Sequence, residues 1–110
     1  MAKKQERRTY EGSVEAVQQA VERALADERM KVQSSNPGRI EAGANISIWS
    51  WGENVTVDLA SASPSSTIVT VTSASKIPIT LFDWGKNKAN IKKVFGRLDA
   101  SLSAAQPSAV

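Results

Sequence analysis

The sequence contains no cysteine and no histidine among its 110 residues. Without cysteine there can be no disulfides, thiolate zinc sites or cysteine nucleophiles, and without histidine the commonest transition-metal ligand is missing. No apolar run approaches the roughly 18 residues that would suggest a membrane span. No apolar stretch of secretory-signal length follows the basic first residues, so we expect a bacterial-type cytoplasmic protein. We also expect no cofactor and no bound metal.

Charge is distributed unevenly along the chain. Residues 1–10 carry four basic side chains against one acidic, residues 11–75 carry four against eight, and residues 76–98 carry six against one. We expect these segments to complement each other within the fold. An acidic binding partner is the alternative interpretation.

Hydrophobic periodicity predicts a single α+β domain over residues 11–102. It lies between a flexible basic arm at residues 1–10 and a disordered tail at residues 103–110. Ser13 is a suitable N-cap for a first amphipathic helix, and a second apolar stripe at helical spacing begins near Ile91.

Four strand candidates follow the first helix, with links of turn length between them. They lie near residues 30–34, 39–49, 54–59 and 67–75. Such short links, without a crossover helix, predict a four-stranded antiparallel meander. Two amphipathic helices cover only one face of a sheet, so we expect both on the same face and the other face open. The expected open-face residues are Glu41, Asn45, Ser47, Trp49, Thr56 and Asp58.

Two tryptophan–glycine pairs are the most distinctive local feature. They occur in Trp51-Gly52-Glu53 and in Asp83-Trp84-Gly85-Lys86, each at a junction between predicted elements. We expect both at one end of the sheet, with Glu53 facing Lys86. They would close the core and turn the chain, and the alternative is a small indole-lined pocket. The candidate ligand or partner residues are Trp49, Trp51, Glu53, Asp83, Trp84, Lys86, Asn87 and Asn90.

The polar residues that open the last helix have two interpretations. Asp83 or Asn87 can cap the helix, while Asn90 can bridge its first turn to a neighbouring strand. The alternative is an anion site at the helix N-terminus, which nearby lysines would favour.

Two of these segments together resemble a signature of uncharacterised bacterial domains. The signature is S-x-S and a basic residue, matched here by Ser73–Lys76, then D-x-G-x-N-x-x-(R or N)-I, matched by Asp83–Ile91. A closer set of small bacterial proteins shares the block Trp-Ser-Trp-Gly-Glu at residues 49–53. The resemblance covers roughly residues 39–98 and implies a common fold and corner geometry, but no activity. Lys76 and Asn90 stand where arginine is common in the broader group, which weakens any anion-binding role.

No catalytic constellation is complete. Ser73 and Lys76 match the S-x-x-K pattern of penicillin-binding enzymes. However, this serine ends a predicted strand instead of opening a helix, and the accessory motifs are missing. The acidic residues Glu53, Asp58 and Asp83 are isolated in the sequence. We therefore expect no enzymatic activity.

Three classes of function remain. The leading prediction is a non-enzymatic binding or assembly module that binds a protein partner or self-associates through the open sheet face or an edge strand. The first alternative is nucleic-acid binding by the basic arm and the last helix. Its candidate residues are Lys88, Lys92, Lys93 and Arg97. The second alternative is a carrier of a small apolar ligand between helices and sheet, with Ile77–Phe82 as a flap.

Overall fold

The described chain is an α+β fold with two helices and one antiparallel sheet. The computed structural model describes residues 3–46, 52–76 and 85–104. The elements in these ranges are β1 (Lys3–Glu11), α1 (Val14–Asp27), β2 (Lys31–Asn36), β3 (Arg39–Ala44), β4 (Glu53–Ser63), β5 (Ser66–Ser75) and α2 (Lys86–Ser101). The strands are arranged in the order β1-β5-β4-β3-β2, so β1 and β2 form the two edges.

Helix α1 begins and packs as its sequence predicts. Ser13 adopts an extended backbone conformation, and its Oγ accepts a hydrogen bond from the Ala16 N–H at 3.2 Å. This satisfies one of the free amide donors at the helix start. The apolar stripe Val17, Val21 and Leu25 is fully buried. No helix in the described ranges combines the length and apolar character needed to cross a membrane.

The predicted meander is present, but the strand count of four is wrong. Strands β2 to β5 pair consecutively and antiparallel, as expected. A fifth strand, β1, occupies most of the segment predicted to be a flexible arm at residues 1–10. It pairs with β5 along its whole length, from Lys3 opposite Ala74 to Glu11 opposite Ser66. Tyr10 is the only buried residue of β1, so the strand lacks the alternating apolar pattern by which sequence identifies strands.

The start of the predicted disordered tail at residues 103–110 also has a defined place. The Glu11 N–H donates to the Ser103 carbonyl at 2.8 Å, and Ala104 forms an isolated β-bridge with Tyr10. The chain that leaves α2 therefore lies along one end of the outer edge of β1. Residues 105–110 lie outside the described ranges.

The core lies between one face of the sheet and both helices, as predicted. On β4 and β5, buried and less buried residues alternate, which is the pattern of a sheet covered on one side. The inward strand residues and the apolar stripes of both helices belong to one core cluster. Glu41, Thr56 and Asp58 lie on the opposite, open face, as expected.

Tyr10 attaches the first strand to the last helix. Its ring is buried and stacks on Phe95, with 6.4 Å between ring centroids. Its hydroxyl donates to Asp99 Oδ1 at 2.7 Å, and Arg8 Nη1 donates to Asp99 Oδ2 at 2.6 Å. The Arg8 guanidinium lies 4.6 Å from the centroid of the Phe95 ring, so a cation–π contact accompanies the ion pair.

We predict that Tyr10→Phe lowers stability and changes its response to alkaline pH. Loss of the hydrogen bond to Asp99 should cost about 1 kcal/mol at neutral pH. Burial, together with that hydrogen bond, raises the pKa of Tyr10 above its ordinary value. The unfolded chain releases this proton near pH 10, at which the folded chain still retains it. The tyrosine contribution is therefore complete below about pH 10 and is lost as pH rises further.

The measurement is urea unfolding of both proteins at about pH 8 and about pH 11. The stability advantage of the natural chain over Tyr10→Phe should shrink at the higher pH, because only the natural chain has this tyrosine. Equal losses in the two proteins would show that Tyr10 does not contribute to the alkaline sensitivity.

Candidate functional site

A buried polar network lies at one end of the sheet, where the last helix begins. Glu53 opens β4 with only 4% of its surface exposed, and it is the one charged residue that is buried in the described ranges. Its Oε1 accepts hydrogen bonds from Asn45 Nδ2 at 2.6 Å and from Asn90 Nδ2 at 2.9 Å. Amide donors thus replace the water that this carboxylate loses on burial.

The network continues from Glu53 into β5 and α2. Asn90 Nδ2 also donates to Ser73 Oγ at 3.1 Å, and Ser73 Oγ donates to Asn87 Oδ1 at 2.7 Å. Ser73, Asn87 and Asn90 are each at most 1% exposed. The cluster therefore joins residues of all three motifs described above. Ser73 comes from residues 73–76, Asn87 and Asn90 come from residues 83–91, and Glu53 comes from residues 49–53.

Two unusual backbone conformations complete this end of the sheet. Asn45 has φ of 57°, and this left-handed turn after β3 allows its side chain to reach Glu53. Gly52 has φ of 76°, and a Cβ at this position would overlap the Ala44 carbonyl oxygen. Gly52 is therefore required both for its conformation and for the close approach of two strands. We expected Asn45 on the open face; that prediction is wrong because this turn directs it to the network.

The structure brings together only part of the predicted ligand or partner site. Glu53 and Asn90 are in direct contact, and Asn90 bridges the first turn of α2 to both β4 and β5, as we expected. Trp49, Trp51, Asp83 and Trp84 lie outside the described residues. The indole-lined pocket therefore remains a prediction.

Two finer predictions concern this corner, and the first of them is wrong. Glu53 does not face Lys86: its carboxylate is bonded to the two asparagines, while Lys86 is exposed and forms no ion pair within the described ranges. Of the two expected caps of α2, Asp83 lies outside the described residues and Asn87 does not occupy the N-cap position. The N-cap position is Gly85, with φ of 79° and no side-chain cap, and Asn87 instead accepts from Ser73.

A second candidate surface, called here the basic groove, separates β1 from α2. It is an open cleft of about 510 Å³. Its charged lining residues are Lys4, Glu6 and Arg8 from β1 and Lys88 and Lys92 from α2, with Ile91 between them. Successive strand residues point to opposite faces, so Lys4, Glu6 and Arg8 share the side of the sheet that carries the helices.

The basic groove corrects the expectation that oppositely charged segments would pair. Some pairing does occur, because Arg97 Nε donates to Glu28 at 2.6 Å and Arg8 bonds to Asp99. However, the two most basic segments of the chain lie side by side across the groove. Lys88 and Lys92 were expected as binding residues, together with the basic arm. Lys4 and Arg8 were not predicted to be groove residues, because they lie in strand β1 and not in a flexible arm.

Comparison with known proteins adds no further assignment. Neither a scan against protein-family models nor a search of the curated proteins finds a match to this chain. The resemblance to uncharacterised bacterial domains thus stays a prediction. In the described ranges, no group of three or more acidic side chains is arranged to hold a metal ion.

We predict that Asn90→Leu destabilises the protein by about 3 kcal/mol, because it removes two donors from a buried carboxylate and a buried hydroxyl. In a Glu53→Leu background the same substitution should cost much less, because the buried charge is then gone. Urea unfolding of the two single variants and the double variant measures this coupling. Lys88→Leu, exposed on the same helix, is the control for helix propensity. Strictly additive losses would contradict a shared network.

Proposed function

We propose that this chain is a small non-enzymatic binding module and that the basic groove is its binding surface. The observation that carries this proposal is that residues far apart in sequence, Lys4 and Arg8 from β1 with Lys88 and Lys92 from α2, surround one open cleft. The lining carries three lysines that form no ion pair in the described ranges, against the carboxylate of Glu6, while Arg8 is bonded to Asp99. This excess of positive charge makes the cleft attractive to an anionic ligand.

The lysine charges of the basic groove are available for binding, whereas Arg8 is paired with Asp99. Within the described ranges Lys4, Lys88 and Lys92 form no ion pair. Two arginines outside the groove differ from these lysines because they are paired: Arg97 in α2 with Glu28, and Arg39 in β3 with Asp58. Ammonium groups that are unpaired and exposed can release counterions when they meet a polyanion, which favours binding at low salt.

The buried network supports the groove rather than competing with it as a binding site. Its donors and acceptors are engaged with each other, and they join the start of α2 to β4 and β5. Asp99 holds the other end of α2 against β1 through Tyr10 and Arg8. Lys88 and Lys92 lie between these two attachments, so the helix presents them at a defined distance from β1.

We predict that Lys4→Ala and Lys92→Ala each weaken binding of inorganic polyphosphate about fivefold at low salt. One ionic contact at about 4 Å in water is worth about 1 kcal/mol. Lys3→Ala is the matched control: it lies in the same strand and removes the same charge, but Lys3 points to the open face of the sheet. Affinity would be measured by isothermal titration calorimetry at about 50 mM salt.

Equal losses for Lys3→Ala and Lys4→Ala would show that net charge matters and the groove does not. Absence of binding to both polyphosphate and an oligonucleotide at this salt concentration would overturn the proposed function.

Self-association through the open sheet face is a second candidate function. The edges are poorly suited to it, because β2 contains a bulge between Val32 and Ser34 and Ser103 covers part of β1. The open face is more suitable: its polar side chains bond to each other, as in Gln5 to Thr72 at 2.8 Å, and no described helix covers it. Such a face can pair with a second copy without leaving unsatisfied groups.

Light scattering after size exclusion tests this second candidate. A self-associating chain should have at least twice the monomer mass of 11.8 kDa at high concentration. Thr56→Lys, which places a charge at the centre of the open face, should return it to the monomer. A natural chain that remains at the monomer mass would reject assembly through this face.

The carrier alternative receives no support from the described residues. The cavities beside α2 are lined in part by charged side chains, among them Lys92, Arg97 and Asp27. An apolar ligand would require a mostly apolar cavity between helices and sheet. The proposed flap, Ile77–Phe82, lies outside the described ranges.

A further inference from the structure

We infer that the basic groove binds single-stranded nucleic acid, with a base stacked on Arg8 and phosphates near Lys4, Lys88 and Lys92. This inference rests on the proposed function and adds the class of ligand. The inference depends on a difference between Arg8 and the lysines of the groove. The lysines have mobile ammonium groups, whereas the planar guanidinium of Arg8 is fixed by its contacts with Asp99 and Phe95.

The edge of the Arg8 guanidinium is already directed at protein carboxylates. Nη1 donates to Asp99 Oδ2 at 2.6 Å, and Nη2 lies 3.7 Å from Glu6 Oε1. The Cζ atom of the group lies over the Phe95 ring, 4.6 Å from the ring centroid. The side chain nevertheless remains 42% exposed and lines the groove. Because Nη1 is bonded to Asp99, we expect the exposed part of Arg8 to offer a ligand its plane more than its N–H edge.

A planar face selects a different ligand from an N–H edge. A carboxylate or phosphate is recognised in two-pronged fashion by the edge of a guanidinium, which here is engaged with Asp99. A nucleobase stacks on the plane of an arginine, as it does on an aromatic ring. The immobilised Arg8 thus favours a ligand that combines an unsaturated ring with negative charge.

The remaining groove residues fit the other parts of a nucleotide strand. Lys4 on one wall and Lys88 and Lys92 on the other supply unpaired ammonium groups for phosphates. Glu6 introduces a carboxylate into the same cleft, which disfavours a uniformly anionic chain such as an acidic peptide. The same carboxylate can accept a hydrogen bond from the exocyclic amino group of a base.

Stacking in this cleft requires an unpaired base. In a duplex the base faces are covered by their neighbours, so the plane of Arg8 would have nothing to stack on. Single-stranded binding by a basic groove with planar side chains is generally tolerant of sequence. We therefore expect binding of single strands with little preference among sequences and a marked dependence on salt.

The experiment compares fluorescence anisotropy of two labelled ten-nucleotide probes, an ordinary single strand and an abasic strand with the same backbone. The natural chain should bind the ordinary strand at least fivefold more tightly, as expected for one stacked base. Raising salt from about 50 to 200 mM should weaken binding of both probes about twentyfold if three lysines contact phosphates.

Arg8→Lys is the decisive variant, because it keeps the charge and removes the planar face. It should lose the preference for the ordinary strand and bind the abasic strand like the natural chain. Arg7→Lys is the matched control, since it is the neighbouring arginine and points to the open face. Thermal melts of both variants would verify that each is folded. The comparison of the two probes on the natural chain does not depend on either variant.

Equal affinity of the natural chain for the two strands would overturn the stacking inference and leave the proposed function standing. Tighter binding of a duplex of the same length, or of polyglutamate, would also overturn it, in the second case in favour of an acidic protein partner. If none of these anions binds at low salt, the proposed function fails with the inference.

Discussion

The hydrogen bond from Tyr10 to Asp99 determines where the first strand lies relative to the last helix. Tyr10 is the single core residue that β1 contributes, so the rest of this strand is held mainly by its backbone pairing with β5 and by the contacts of Arg8 with Asp99 and Phe95. Such pairing fixes a strand within its sheet but not the distance to a helix packed above it. The contact with Asp99, together with the stacking on Phe95, sets that distance and with it the width of the basic groove.

The buried network has the same effect at the opposite end of the helix. A carboxylate in the interior is unfavourable unless hydrogen bonds replace its lost hydration, and here asparagine amides supply them. Because Asn45 follows β3, Glu53 opens β4 and Ser73 lies on β5, the start of α2 is placed against three strands at once. A helix fixed at both ends keeps the backbone positions of Lys88 and Lys92 constant relative to β1, while their exposed side chains remain mobile.

Sequence reasoning succeeded where side-chain burial follows a period and failed where it does not. The stripe of α1, its Ser13 cap and the alternation of β4 and β5 were predictable, because each buries one side against the core. Strand β1 was not, since its inward side chains Lys4, Glu6 and Arg8 face a groove and resemble a solvated charge run. Asn90 was predictable as a bridge from the polar spacing at the helix start. Its partner Asn45 was not, because its left-handed backbone conformation directs the side chain away from the face that strand alternation predicts.

The pairing of β1 with β5 also has a consequence for folding. Lys3 lies opposite Ala74 and Glu11 opposite Ser66, so the paired strands are separated in the sequence by α1 and the other three strands. Contacts between segments this distant in the chain form slowly, since the intervening loop must close before they contribute stability. The pairs within the meander, from β2 to β5, join strands that are neighbours in the sequence. The groove, by contrast, requires the first strand to be paired with β5 and the last helix to be in place, so a ligand that binds there recognises the two ends of the described chain together.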